Sequence, residues 1–102
     1  MEQEEMFVTI NHIEDFGGTI SYRVGDILTL KKDHDNMYDD EAIIAYNKHK
    51  CKCGYVANSV CTVARGTLSA GRLYDRIQET CECKINFILD DAIIATVIPC
   101  IN

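Results

Sequence analysis

Short apolar runs rich in β-branched residues, each closed by turn residues, constrain the fold of this chain more than any other feature. Ile27 to Lys32 alternates Leu28 and Leu30 with Thr29 and Lys31, which is the period of a strand with one buried face. The other strand candidates are Phe7 to Ile13 with an extended continuation at Thr19 to Tyr22, Ala42 to Tyr46, Lys52 to Ala57, Cys83 to Leu89, and Ala92 to Pro99. About six short strands predict a mainly β fold, a small OB-like or SH3-like closed barrel, because closure leaves no exposed sheet edge.

Turn and helix signals separate these strand candidates. Val24-Gly25-Asp26 predicts a hairpin turn, and Asp90-Asp91 joins the last two strands into a terminal hairpin. One short helix is predicted from Asn58 to Arg65. Asn58 or Ser59 can cap its start, and Gly66 follows its end. Ser69 can cap a second short helix, Ala70 to Ile77, for which a strand is the alternative.

The length of the chain bounds its organisation and its compartment. Its 102 residues contain no Ser/Pro/Gly-rich linker, so we expect one domain over residues 1–102, near the lower limit for a self-sufficient core. A homodimer would add buried surface and is kept as an alternative to a monomer.

The acidic start from Met1 to Glu5 lacks signal-peptide character, and no apolar segment approaches the ~20 residues of a membrane span. We therefore expect a soluble cytoplasmic protein with no membrane partner.

The charge of the chain limits how it could contact nucleic acid. The formal net charge is −6, from 10 basic and 16 acidic residues. This balance opposes the long-range attraction that nonspecific nucleic-acid binders use. Any contact with DNA must therefore be local.

A polar loop from Asp33 to Glu41 carries the most specific pattern in the sequence. It contains Asn36-Met37-Tyr38-Asp39 and is followed by the strand residues Ala42-Ile43 and then by Gly54-Tyr55-Val56. In this order and spacing the elements resemble the HIRAN domain. Ser69 to Asp75 is similar to the free-standing bacterial members, and the resemblance covers roughly residues 5–98.

The resemblance implies a non-catalytic module that captures the 3′ end of single-stranded DNA in a pocket. The motif residues of the family map onto Tyr22, Tyr38, Asp39 and Tyr55. The tyrosine rings would stack on bases, each contributing roughly 1–3 kcal/mol, and Asp39 would accept a hydrogen bond from the terminal hydroxyl. The basic residues nearest to these positions, as candidates for the preceding phosphates, are Arg23, Lys31, Lys32 and Lys52.

The same residues also allow readings without nucleic acid. Tyr38 and Asp39 can simply pack and cap the loop, with Asp39 forming an Asx turn. An interaction or homo-oligomeric module could use the aromatic loop for a protein partner, and the acidic net charge favours this alternative. A calcium loop is disfavoured, because Met37 and Tyr38 stand where such a loop requires an oxygen ligand and then glycine.

Two C-x-C units raise the question of a metal. Cys51 and Cys53, together with Cys81 and Cys83, could supply four thiolates to one zinc ion. Zinc sites generally use two to four intervening residues, whereas C-x-C on a strand directs both side chains to one face. We therefore expect no cofactor and structural thiols, and a zinc-binding protein is the second alternative.

The position of the second C-x-C unit on its strand supports the structural reading. Cys81, Cys83, Ile85, Phe87 and Leu89 occupy every second position and are predicted to share the buried face. A reducing compartment also favours free thiols over disulfides.

No arrangement of residues predicts catalysis. There is no nucleophile beside a base and no phosphate-binding glycine loop, so the chain is expected not to be an enzyme. His12 is expected on a strand face, and His34 lies in the loop within reach of Tyr38.

Overall fold

The strand candidates close into a six-stranded antiparallel barrel in the computed structural model, which describes residues 5–19, 21–59 and 62–98. The strands are β1 (Phe7–Asn11), β2 (Ile27–Lys32), β3 (Ile43–Tyr46), β4 (Lys52–Val56), β5 (Thr80–Ile88) and β6 (Ile93–Ile98). A 3-10 helix, Ile13–Phe16, follows β1, and one α-helix, α1 (Ala70–Tyr74), precedes β5. Around the barrel the order is β1, β4, β3, β2, β5, β6, and β6 pairs again with β1. The predicted fold class is confirmed.

Register places most apolar positions of the strands inside the barrel. Leu30 of β2 lies opposite Ala45 of β3 and Cys81 of β5, and all three are buried. The largest fully buried side chains are Val8, Ile10, Ile13, Leu28, Leu30, Ile43, Cys53, Leu73, Cys83, Ile85 and Ile93. Burying one large aliphatic side chain stabilises a fold by about 1.5–3 kcal/mol, so this interior is the main source of stability.

Gly54 marks the closest approach between β4 and the end of β1. A Cβ atom at this position would lie 2.5 Å from the carbonyl oxygen of Asn11 and 2.8 Å from Cγ2 of Ile10. Only glycine leaves room for this contact without moving the backbone. The Gly-Tyr-Val sequence therefore has a packing reason for its first residue.

A β-bulge in β5 overturns one prediction about the core. Cys81, Cys83 and Ile85 are buried as expected, but the register shifts between Ile85 and Phe87. The inserted residue reverses which face the following side chains occupy. Phe87 is consequently 63% exposed and Leu89 52% exposed, and the expectation that they line the core is wrong.

The region after β1 departs from the predicted extended course. The strand ends at Asn11 instead of Ile13, because His12 adopts a left-handed conformation (φ 60°, ψ 24°) and the 3-10 helix begins at the next residue. Among the described residues of the predicted continuation from Thr19, the chain turns, and the Tyr22 amide donates to the Thr19 carbonyl at 3.1 Å. The predicted strand at this place is wrong, and so is the placement of His12 on a strand face.

The predicted helix from Asn58 to Arg65 is also wrong for its described residues, which form turns. Thr9 Oγ1 of β1 accepts from the Ala64 amide at 3.1 Å, and Thr67 Oγ1 donates to the Ala64 carbonyl at 2.7 Å. These bonds take backbone groups that a helix would need, in a segment rich in β-branched residues of low helix propensity. Cys61 of this segment, like Pro99 and Cys100, lies outside the described residues.

The second predicted helix is confirmed in a shorter form. Ser69 caps α1, its Oγ accepting from the Arg72 amide at 3.3 Å, and Leu73 is completely buried in the core. The helix ends at Tyr74, and Ile77 reaches the core from the loop that follows. No helix in the described part of the chain has the length and apolar character to cross a bilayer.

Candidate functional site

The loop between β2 and β3 is held in shape by its own polar side chains. Asn36 Oδ1 accepts from the Tyr38 amide at 2.8 Å and from the Asp39 amide at 2.9 Å. Asp33 Oδ1 accepts from the Asp35 amide at 3.2 Å in the same manner. Such Asx turns replace backbone pairing where a chain reverses. The loop is therefore an ordered support for the side chains at its tip.

Asp39 connects this loop to two other parts of the chain. Its Oδ1 accepts from the Glu41 amide at 2.9 Å, and its Oδ2 accepts from Asn58 Nδ2 at 3.0 Å. Asn58 Oδ1 in turn accepts from the Gly71 amide of α1 at 2.8 Å. A carboxylate has about four lone-pair sites, so Asp39 keeps capacity for a further donor. Its bond within the loop is thus compatible with binding a ligand hydroxyl.

An open cleft of about 360 Å³, which we call the Tyr38 cleft, lies beside this loop. Tyr38 and Asp39 of the loop and Tyr55 and Val56 of β4 are among the residues that line it. The remaining lining residues are Asn11, His12, Asp15, Asn36, Ala42, Ile43, Asn58, Ser59 and Thr62. The structure thus brings together three of the residues singled out from the sequence: Tyr38, Asp39 and Tyr55.

The two tyrosines of the cleft differ in support. Tyr38 is 98% exposed, so its ring offers a free face to solvent. Tyr55 is half-buried, with its ring 6.0 Å from that of Phe16 and 6.3 Å from that of His12, the latter edge-on at 90°. A fixed ring and an exposed ring on the same cleft are suited to holding a planar group by stacking.

Tyr22 lies in a different place, the Tyr22 pocket, a groove of about 510 Å³ formed with Ser21, Gly25, Asp26, Ile27, Leu28, Asn47, Lys48 and His49. Its hydroxyl accepts from Asn47 Nδ2 at 3.5 Å and lies near the Cys53 thiol, whose pKa it lowers. Burial raises the pKa of Tyr22, and the bond from Asn47 partly offsets this. Tyr22 is not among the residues that line the Tyr38 cleft.

The four basic candidates lie on the surface around the barrel, outside the residues that line the cleft. Arg23 is exposed in the turn before β2, and Lys52 is exposed at the start of β4. Lys32 is half-buried, with its Nζ 4.3 Å from the centre of the Tyr74 ring.

Lys31 is the basic candidate that register relates most directly to the cleft. It is exposed on β2 opposite Ile44, which lies opposite Tyr55. Opposed residues of neighbouring strands share a face, so two strand spacings of ~4.8 Å place the Lys31 backbone about 10 Å from that of Tyr55.

Several residues of the cleft were not singled out from the sequence. His12 and Asn58 are the principal ones, since His12 contacts Tyr55 and Asn58 bonds Asp39. The pairing of Asn11 with Tyr55 is what carries His12 to this place. No short motif signals such a pairing between β1 and β4. His34 was expected near Tyr38, but its Nε2 lies 2.7 Å from a carboxylate oxygen of Glu79.

The four cysteines among the described residues separate into one surface thiol and three interior ones. Cys51 is exposed just before β4, whereas Cys53, Cys81 and Cys83 are buried, and the four are not in disulfide bonds. Burial raises the pKa of the Cys53 thiol to about 11, offset in part by the Tyr22 hydroxyl, and raises the pKa of Cys83 further. Within residues 5–19, 21–59 and 62–98, no three His, Cys, Asp or Glu side chains converge as metal ligands.

Comparison with known proteins agrees with this architecture. The profile of the HIRAN domain matches residues 7–89, which is most of the chain. The chain belongs to the HIRAN-domain family. Among solved structures, the crystal structure of the HIRAN domain of human HLTF is similar with a TM-score of 0.63 and 18% sequence identity, over 91% of this chain and 74% of that chain. At this identity the likeness establishes a shared fold. A search of curated proteins gave no match.

Proposed function

We propose that this protein is a non-catalytic nucleic-acid-binding module that captures the 3′ end of single-stranded DNA in the Tyr38 cleft. The observation that carries the proposal is the arrangement of an exposed ring, a fixed ring and a carboxylate around one opening. Membership of the HIRAN-domain family supports it.

Each residue of the cleft would have a defined role. Tyr38 would stack on the terminal base from the loop side, while Tyr55 would present the supported surface opposite. Asp39 would accept a hydrogen bond from the 3′ hydroxyl with its remaining lone pairs. Since Asn36 and Asn58 already hold Asp39 in place, this part of the loop would lose little conformational freedom on binding.

Phosphates upstream of the last linkage would lie outside the cleft. Lys31 is the best-placed basic residue to meet them, because it lies on the same outer row as Tyr55. Arg23, Lys32 and Lys52 remain further candidates, with Lys32 partly engaged by the Tyr74 ring. Tyr22 would contribute to the stability of the barrel instead of to stacking, because its hydroxyl already bonds Asn47 and its ring lies in a separate groove.

The direct test compares short single strands that differ only at one end. A 3′ hydroxyl strand should bind more tightly than the same strand with a 3′ phosphate, because the added charge repels Asp39 and removes the donor. Changing the 5′ end should matter little and serves as the control. Fluorescence anisotropy at fixed salt measures all three ligands. Equal affinity for both 3′ ends would contradict end capture.

A protein-interaction or homo-oligomeric module is the second candidate, favoured by exposed apolar side chains away from the cleft. Val24 is 66% exposed and Phe87 63% exposed. The turn that carries Val24 bonds to β5 through the Gly25 amide and the Ile85 carbonyl at 2.8 Å, so the two side chains belong to neighbouring segments. Light scattering after size exclusion at increasing protein concentration tests for a dimer. A dimer that Phe87→Ser abolishes would support this candidate.

For the cysteines we propose structural roles in place of zinc binding. Three of the four C-x-C thiols are buried among aliphatic side chains, and Cys51 lies outside the core. Elemental analysis of protein purified under reducing conditions should give well under one zinc per chain, and the fold should survive a chelator. Stoichiometric zinc together with unfolding on chelation would establish the zinc alternative.

A further inference from the structure

The lining of the Tyr38 cleft has an unusual charge composition for a site that would hold a nucleic-acid end. Its residues include the carboxylates of Asp15 and Asp39 but no lysine or arginine. A bound strand end brings the charge of the phosphodiester that joins its last two nucleotides. His12 is the one lining residue that can become a cation, by protonation of its imidazole.

The geometry of His12 holds its ring at the cleft. Nδ1 of His12 lies 3.2 Å from Oδ2 of Asp15, and the ring packs edge-on against Tyr55. With Nδ1 engaged by the carboxylate, Nε2 is the nitrogen left to meet a ligand. The side chain is 60% exposed, so a ligand can reach it.

The backbone of His12 is a second, independent observation. Its φ of 60° puts a non-glycine residue in the left-handed region, which is uncommon and is concentrated at ligand sites. This conformation ends β1 and turns the chain into the 3-10 helix that carries Asp15 and Phe16. The fold thus holds a strained residue where its ring contacts the fixed tyrosine of the cleft.

Resting on the proposed function, we infer that His12 is the cationic contact for the terminal phosphodiester and that capture of a strand end strengthens when His12 is protonated. The imidazolium Nε2–H would donate a charge-assisted hydrogen bond to a non-bridging phosphate oxygen. Neutral His12 offers the phosphate no positive charge, and its Nε2 is then an acceptor wherever Nδ1 carries the proton toward Asp15.

Other charged and titratable groups surround His12. Those on the same cleft or on the adjoining groove are Glu14, Asp15, Tyr38, Asp39, Tyr55 and Asp91. The four carboxylates among them make the site repel phosphate whenever His12 is neutral. Protonation of one side chain therefore changes the sign of the nearest charge that the phosphate meets.

The experiment measures binding of an oligothymidylate with a 3′ hydroxyl between pH 8 and pH 5.5, the range in which imidazoles titrate. Affinity of the natural chain should rise about tenfold toward pH 5.5, the order expected for one charge-assisted hydrogen bond. The same strand with a neutral methylphosphonate at its last linkage should bind with little dependence on pH.

Two variants separate His12 from the other histidines, His34 and His49. His12→Asn should remove the pH dependence for the natural strand, while asparagine tolerates the left-handed backbone and keeps the fold. His34→Gln is the matched control, because His34 is likewise exposed and paired with a carboxylate, Glu79, at 2.7 Å, yet it does not line the cleft. The affinity of His34→Gln for the natural strand should change with pH as that of the natural chain does.

The outcomes distinguish this inference from the proposed function. Binding that discriminates a 3′ hydroxyl from a 3′ phosphate but has the same pH profile in His12→Asn would overturn the role of His12 alone. Absence of binding to either strand at every pH would overturn the proposed function itself. As a direct readout, the NMR signals of the His12 ring should shift on addition of the natural strand and much less with the methylphosphonate, and equal shifts would also count against the contact.

Discussion

The Tyr38 cleft and the Tyr22 pocket each contain a tyrosine, but the two side chains differ in exposure and in hydrogen bonding. In the cleft, the loop is fixed by Asn36 and Asp39, and the Tyr38 ring remains 98% exposed. In the pocket, the Tyr22 hydroxyl itself accepts a hydrogen bond from Asn47, and the ring packs against the core. The hydroxyl of Tyr22 is hydrogen-bonded inside the protein, so this tyrosine contributes to the fold. At Tyr38 the hydrogen bonds hold the loop backbone, and the side chain remains accessible.

Strand β4 serves both sites at once. Cys53 lies near the hydroxyl of Tyr22, Tyr55 lines the cleft, and Gly54 between them packs against β1. The comparison can therefore be tested by changes that disturb both sites, one site or the other.

The largest effect is expected for Gly54→Ala, which acts on both sites. The new methyl group would meet the Asn11 carbonyl oxygen at 2.5 Å, a backbone atom that cannot move without breaking the pairing of β1 with β4. We expect a loss of about 3 kcal/mol in the free energy of unfolding, at the upper end of overpacking effects. Urea unfolding followed by circular dichroism measures it. Gly66→Ala, at a glycine with open space around it but a φ of 88°, controls for backbone strain alone.

High pH should destabilise the Tyr22 side of the comparison. The pKa of Cys53 is raised in the folded protein from about 9 to about 11, so the unfolded chain loses this proton first as the pH rises. Stability is therefore complete below about pH 9 and declines up to pH 11, by about 2–3 kcal/mol from this group. The raised pKa of Tyr22 acts in the same direction. Urea unfolding at pH 8, 9, 10 and 11 should show a shallower decline for Cys53→Ser, and parallel declines would argue against the thiol as the source.

Tyr38→Ala should affect binding without affecting the fold. Loss of a stacking ring should weaken binding of a short single strand by about 1–3 kcal/mol. Because the ring is almost fully exposed, the free energy of unfolding should change by no more than ~0.5 kcal/mol. Phe87→Ala is the matched control, since it removes an exposed ring that is not among the residues lining the cleft. A comparable loss of affinity in Phe87→Ala would point to a binding surface elsewhere.

Tyr22→Phe should have the smallest effect. In contrast to Tyr38→Ala, it should lower stability and leave binding unchanged. Removing the hydroxyl takes a hydrogen-bond partner from Asn47, at a cost of about 1 kcal/mol in the free energy of unfolding. Affinity for single strands should be unchanged, because the ring does not line the cleft. Thermal unfolding and anisotropy on the same preparation test both statements. Weakened binding with unaltered stability would instead indicate that Tyr22 stacks on a base.

The barrel was predictable from the sequence because its information is local. Alternation at Leu28 and Leu30 and the cap at Ser69 each depend on neighbouring residues and have the expected conformation, whereas the chain turns at Gly25 without forming the predicted hairpin. The Asx turn at Asp39, predicted in the reading without nucleic acid, is likewise confirmed, since such a turn is formed within a few residues.

Tertiary structure decided which side chains meet. The bulge in β5 exposed Phe87, the bonds of Thr9 and Thr67 to Ala64 displaced a helix, and the pairing of β1 with β4 brought His12 to Tyr55. Each outcome depends on partners far apart in sequence, whose register is chosen by the packing of the whole barrel and not by propensity. The six strands of the barrel and the loop between β2 and β3 followed from the sequence alone, whereas closure of the barrel decided that Tyr38 and Tyr55 line one cleft while Tyr22 lies in a separate groove.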